Sequence, residues 1–75
     1  MSYEVNNNRY ITLKTVSAWD VFDRKKATID KGTEIDSVWA SAIIVSDTER
    51  ASFHALTQQQ CLDKKVELGY IKLKV

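Results

Sequence analysis

Cysteine and histidine are nearly missing: the 75 residues hold one of each, Cys61 and His54. A single thiol rules out an internal disulfide framework and any multi-cysteine zinc site, and a single imidazole rules out two-histidine metal ligation within one chain. A surplus of charge of one sign is missing as well. Eleven basic residues stand against ten acidic ones, a net charge of +1, so no global field draws the chain to nucleic acid. The nearest candidate for a phosphate site, Arg24-Lys25-Lys26, is flanked by Asp20 and Asp23 and reads as a solvated turn. Long apolar runs are also missing. The longest apolar run lies within the uncharged stretch Ser37 to Ser46, which is of strand length and well short of the roughly 20 residues of a membrane span. The N-terminus is polar and asparagine-rich, without the basic-then-apolar order of a signal peptide, so the chain is expected to be made in the cytoplasm.

What is present suffices for one core. The hydrophobic fraction is 44%, and aromatic and β-branched residues are plentiful, which argues against disorder. A chain this short buries only roughly 60% of its unfolded surface, so its stability is expected to be marginal. The stretch Ile29 to Val45 organises the rest. Asp30-Lys31-Gly32-Thr33 suits a turn whose third residue takes positive φ, which glycine adopts without steric cost. Thr33 to Val45 follows, rich in β-branched residues and holding Trp39, and reads as the central strand of a small antiparallel sheet.

Around it the alternation is of period two. Arg9 to Val16 forms an opening strand, with Ser17-Ala18 as the break after it. Trp19 to Asp23 alternates again, and Arg24-Lys25-Lys26 is the turn that follows. Ala27-Thr28-Ile29 forms a short strand or arm. Gly69 to Val75 alternates most cleanly, with two lysines on one face suited to an exposed edge. Between Ser46 and Leu68 two readings compete. Ser46 with Glu49 fits a capping box, with Gly69 as a helix stop. The alternative, which the scattered apolar residues favour, is a turn at Asp47 to Arg50, a returning strand from Ala51 to Thr57 and a polar loop from Gln58 to Lys65. The expected architecture is all-β, a small barrel or sandwich of five to six short antiparallel strands. Residues 1–8 form a polar tail or linker and residues 9–75 the domain.

No catalytic constellation stands out. His54 is the one candidate general base at neutral pH and Cys61 the one thiol, but no glycine-rich elbow surrounds Cys61 and no acidic orienter stands at a telling spacing. The carboxylate pairs Asp20/Asp23, Glu34/Asp36 and Asp47/Glu49 sit at turns and strand ends. No phosphate-binding loop, dinucleotide fingerprint or metal spacing occurs, and no cofactor is called for. The aromatic residues say more. Trp39 and Phe53 suit a core, whereas Tyr10, Phe22 and Tyr70 lie out of step with Ile11, Val21 and Ile71. If the aliphatic set faces inward, these three rings lie at the surface, where rings stack on sugars or bases and anchor protein interfaces.

The order of these pieces resembles the bacterial SH3-like (SH3b) cell-wall-binding modules found at the C-termini of phage endolysins and in surface-layer-associated proteins. The resemblance is carried by the strand Tyr10-Ile11-Thr12-Leu13, by Ala18-Trp19-Asp20-Val21-Phe22-Asp23, by the turn Asp30-Lys31-Gly32-Thr33-Glu34-Ile35 and by the closing Gly69-Tyr70-Ile71. It implies a small SH3-like barrel that binds peptidoglycan or a wall polysaccharide without catalysis and positions a separate hydrolase domain. It further implies a ligand surface of Trp19, Asp20, Phe22 and Tyr70, and assembly with further copies of itself. A second expectation, a small phage-encoded protein-interaction module such as an inhibitor or virion component, draws on the apolar stretch Val38 to Val45.

Overall fold

A computed structural model describes residues 4–75 of the chain. The first three residues of the expected tail, Tyr3 among them, lie outside the described residues. Among the described residues, five strands form two antiparallel sheets. They are β1 (Arg9–Thr12), β2 (Val16–Asp20), β3 (Lys25–Ile29), β4 (Glu34–Asp36) and β5 (Ile71–Leu73). The first sheet has the order β4-β1-β5 and the second pairs β2 with β3. Three helices complete the fold: α1 (Ser37–Ala42), α2 (Asp47–Arg50), which runs into a 3-10 turn at Ala51–Phe53, and α3 (Gln58–Glu67).

β1 is central because it alternates Tyr10 and Thr12, both buried, with Ile11 half-buried, and because both its edges are paired. Tyr10 sits opposite Ile35 of β4 and Leu73 of β5. Thr12 fixes the entry to β4. Its hydroxyl donates to the Asp30 carbonyl at 2.7 Å and accepts the Thr33 N–H at 3.0 Å, while its carbonyl accepts the Gly32 N–H at 2.8 Å. Gly32 holds φ at +84°, the conformation expected of that turn and costly for any residue with a Cβ. β2 is tied to the segment just after α1 by one isolated bridge, Ala18 opposite Ile43, with the Ile44 N–H donating to the Ser17 carbonyl at 2.8 Å. The core lies between them and α3: Tyr10, Val16, Ala18, Ile35, Ala40, Ile43, Leu62, Tyr70 and Ile71.

The expected strand count and antiparallel pairing hold, but the fold is mixed and not all-β. β3 and β4, adjacent in the chain, do not pair with one another, so the sheets do not close into a barrel. The expected central strand stops after three residues. Asp36, in extended conformation, accepts the Trp39 N–H on its carboxylate at 3.0 Å, and this N-cap starts a helix through Ser37-Val38-Trp39-Ala40-Ser41-Ala42. The β-branched composition of Thr33 to Val45 therefore misled: the small residues Ser37, Ala40, Ser41 and Ala42 let the turn of helix pack closely, and Ser37 and Ala40 are fully buried. The expected hairpin at Asp47 to Arg50 is also helix. The Ser46 hydroxyl donates to the Glu49 carboxylate at 2.9 Å but makes no cap bond to the helix backbone, and the Ser46 N–H goes to the Tyr70 hydroxyl, so helix is found there without the capping box of the competing reading. The expected polar loop from Gln58 is α3, opened by a reciprocal capping box between Thr57 and Gln60 and closed by Gly69 at φ +84°. The break expected at Ser17-Ala18 falls earlier, since both residues belong to β2. Lys25 and Lys26 extend β3 and leave Arg24, at φ 53°, in the turn.

Candidate functional site

The β2–β3 hairpin ends in a tight turn that its own sequence builds. The Asp20 carboxylate accepts the N–H of Phe22 at 3.0 Å and of Asp23 at 3.1 Å, the side-chain mimicry of a turn for which aspartate is favoured. This turn holds apolar side chains out from the sheet: Trp19 is 45% exposed, Val21 41% and Phe22 72%. Opposite stands α1, whose residues Val38, Trp39, Ser41 and Ala42 form the other wall. Between them lies a cleft of about 450 Å³, also lined by Glu4 and Gln58. The chain has only two tryptophans, and both line this cleft.

α1 is short, so its position depends on ties at both ends. Near its start, the Ser37 hydroxyl accepts the Val5 N–H at 3.0 Å and donates to the Asn6 carbonyl at 2.9 Å, which also places Glu4 on the cleft. At its far end the Lys65 ammonium, from α3, donates to the carbonyls of Ala40 at 3.0 Å and Ser41 at 2.8 Å. A cation on the terminal carbonyls of a helix is favourably placed. Lys65 is only 4% exposed, and burial pushes its pKa from 10.5 down to about 8, opposed by the charge of Cys61.

Of the four side chains expected to form one surface, Trp19, Asp20 and Phe22 come together here. Tyr70 does not, and its expected exposure is corrected: it is 6% exposed. Its hydroxyl donates to the Glu49 carboxylate and accepts the Ser46 N–H at 3.2 Å, while the Lys14 ammonium sits 3.9 Å over its ring. The hydroxyl holds the Glu49 carboxyl below the usual range, with help from Ser46. In return that carboxylate, then burial, pushes the Tyr70 phenol up. Tyr70 is thus a clasp that holds the start of α2 against the core. Tyr10 is likewise buried, at 3%, so only Phe22 of the three out-of-step rings lies outside. Period-two reasoning failed for Tyr70 because the residue precedes β5, where strand alternation does not apply.

Trp39, assigned to the core by its place in an apolar run, packs on the core yet lines the cleft. Asp36-Ser37 ahead of a small-residue run was the sequence signal that could have found it. Ser41, Gln58 and the support from Lys65 were not foreseen. Of the residues weighed for nucleophilic chemistry, Cys61 is half-buried with its thiol 4.0 Å from the Phe53 carbonyl, and His54 is exposed. Among the described residues no group of three or more His, Cys, Asp or Glu side chains could hold a metal ion, and no helix is long and apolar enough to cross a membrane. Comparison with known proteins finds no matching protein-family model, no matching curated protein and no matching solved structure.

Proposed function

We propose that this chain is a non-catalytic binding module that recognises a bacterial cell-wall polymer, peptidoglycan or a wall polysaccharide, in the cleft between the β2–β3 hairpin and α1. The observation that carries the reading is the gathering of Trp19, Phe22 and Trp39 around one cleft together with the polar groups of Asp20, Ser41 and Gln58. Rings offer flat apolar faces to the C–H side of a sugar, and carboxylate, hydroxyl and amide groups take up its hydroxyls. The family resemblance supplies the wall as the target. On this reading the chain is a divergent SH3-like module in which α1 to α3 take over from later barrel strands. It acts at the wall, in company with a hydrolase domain and further copies of itself. A fluorescent fusion is expected to decorate Gram-positive cells or their purified walls, and Trp19→Ala and Phe22→Ala to lose most of that binding. Failure to bind any of a panel of such walls overturns the reading.

The protein-interaction alternative has one observation in its favour. The unpaired sides of β3 and β4 flank a second groove, of about 580 Å³, lined by Ala27 to Asp30 and Thr33 to Asp36, and exposed strand edges accept an added strand. A stoichiometric intracellular partner recovered from host lysate, with no affinity for walls, selects this alternative.

A further inference from the structure

We infer that the ligand of the hairpin–α1 cleft presents a positively charged amino group, as a free amino sugar or a lysine-type side amine does, and that the phosphate-bearing wall polymers are not its target. The inference rests on the reading of this cleft as a wall-ligand site. Two features of the lining point the same way. Among the described residues that line it, the ionisable ones are carboxylic acids, Glu4 and Asp20, with no lysine, arginine or histidine. Its three aromatic residues, Trp19, Phe22 and Trp39, offer π faces, which attract an ammonium and hold it best in partly desolvated surroundings. Carboxylates beside aromatic rings complement an organic cation and repel a phosphodiester.

The basic residues of the hairpin do not cancel this. Lys26 stands opposite Trp19 and Lys25 opposite Asp20 in the β2–β3 ladder, but neither lines the cleft. Asp20 commits Oδ1 to the two N–H groups of its own turn. A carboxylate carries further acceptor sites and a full charge beyond those two bonds. Its charge can therefore serve a ligand while its geometry serves the turn.

Asn in place of Asp20 separates these roles, because the amide oxygen keeps both turn bonds and only the charge is lost. With both tryptophans on the cleft, intrinsic fluorescence reports occupancy without a label. Titration with glucosamine and with N-acetylglucosamine is the direct probe. The amine is expected to change tryptophan emission saturably and the acetylated sugar to do so at least about tenfold more weakly. Asp20→Asn is expected to lose about tenfold or more in affinity for the amine with unchanged circular dichroism and melting. Equal response to the two sugars, or an unaltered amine affinity in Asp20→Asn, overturns the inference.

A second measurement separates this from the parent reading. The protein is sedimented with native walls and with walls whose free amines have been acetylated. Loss of pelleting on acetylation supports both proposals. Equal pelleting on the two wall preparations leaves the wall reading standing and refutes the ammonium. Pelleting that depends on wall phosphate, abolished by its removal, refutes it too. Saturable binding of glucosamine with no pelleting on any wall refutes wall binding and leaves the ammonium site.

Discussion

Lys65 is expected to make this domain more stable in mild alkali than at neutral pH, against the usual direction. Its ammonium is buried under α1, and its pKa falls from 10.5 in the unfolded chain to about 8 in the fold. Between those values the unfolded chain holds a proton that the folded chain has released. Stability therefore rises with pH through that window and is flat below it. The gap from about 8 to 10.5, at about 1.36 kcal/mol per pH unit, comes to on the order of 3 kcal/mol. That is a sizeable share of the total for a chain this small, for which about 5–15 kcal/mol is typical of proteins generally. The neutral amine keeps two N–H donors for the Ala40 and Ser41 carbonyls, so the support of α1 survives deprotonation. The assay is urea unfolding followed by tryptophan emission at pH 7, 8, 9 and 10. The upper limit matters because the Tyr70 phenol, raised in the fold, loses its proton first in the unfolded chain and lowers stability as pH climbs through and beyond 10. Lys65→Met is the control. It leaves both carbonyls without that donor, and is expected to cost roughly 1–3 kcal/mol at pH 7 and to abolish the rise between pH 8 and 10. A flat or falling profile in the native chain, or the same rise in Lys65→Met, refutes the reasoning.

Other parts of the fold give further expectations. Tyr70→Phe removes the hydroxyl shared by Glu49 and Ser46 and is expected to cost about 1 kcal/mol by chemical denaturation. Because the Glu49 carboxyl is held low in the fold, its stabilisation is present above pH 4.5 and fades as pH falls through the lower folded value. Tyr70→Phe is expected to flatten that acid limb, and an unaltered limb would remove the clasp from the account. Leu62, fully buried on α3, is expected to lose about 2–5 kcal/mol on truncation to alanine, measured as a drop in urea midpoint. Gly32→Ala meets no atom within 4 Å, yet its φ of +84° is expected to cost about 1 kcal/mol; an unchanged urea midpoint would contradict the strain argument.

Legibility in the sequence followed the range of the interactions that decide each element. The Gly32 turn and the strands around Tyr10 and Ile71 were readable because their signals are local: a positive-φ turn, and apolar residues at period two. The hairpin was readable in outline, as two short extended pieces around a turn, but the turn lies between Asp20 and Lys25 and not at Arg24 to Lys26, because the Asp20 carboxylate closes it on the Phe22 and Asp23 N–H groups. The stretch from Ser37 to Ala42 was misread because composition and capping disagree there. Trp39 and the isoleucines after it suit a strand, while Asp36 holds the backbone at the entry to a helix, and packing on Lys65 and Ser37 decides in favour of the cap. Gln58 to Glu67 was misread because its inward face is narrow. Leu62 and the stem of Lys65 are its buried residues, and a lysine does not register as part of an apolar stripe. Trp39 reached the cleft for the same reason: a helix turns one side of the residue to the core and leaves another beside the hairpin, which a strand reading could not anticipate.

The most direct test of the central claim is the tryptophan emission of the protein in the presence of purified Gram-positive cell walls. Occupancy of the hairpin–α1 cleft predicts that the protein pellets with the walls and that emission changes saturably, with both effects lost in Phe22→Ala. Pelleting with unchanged emission would place the contact elsewhere on the surface, and no pelleting with any wall would contradict the account outright.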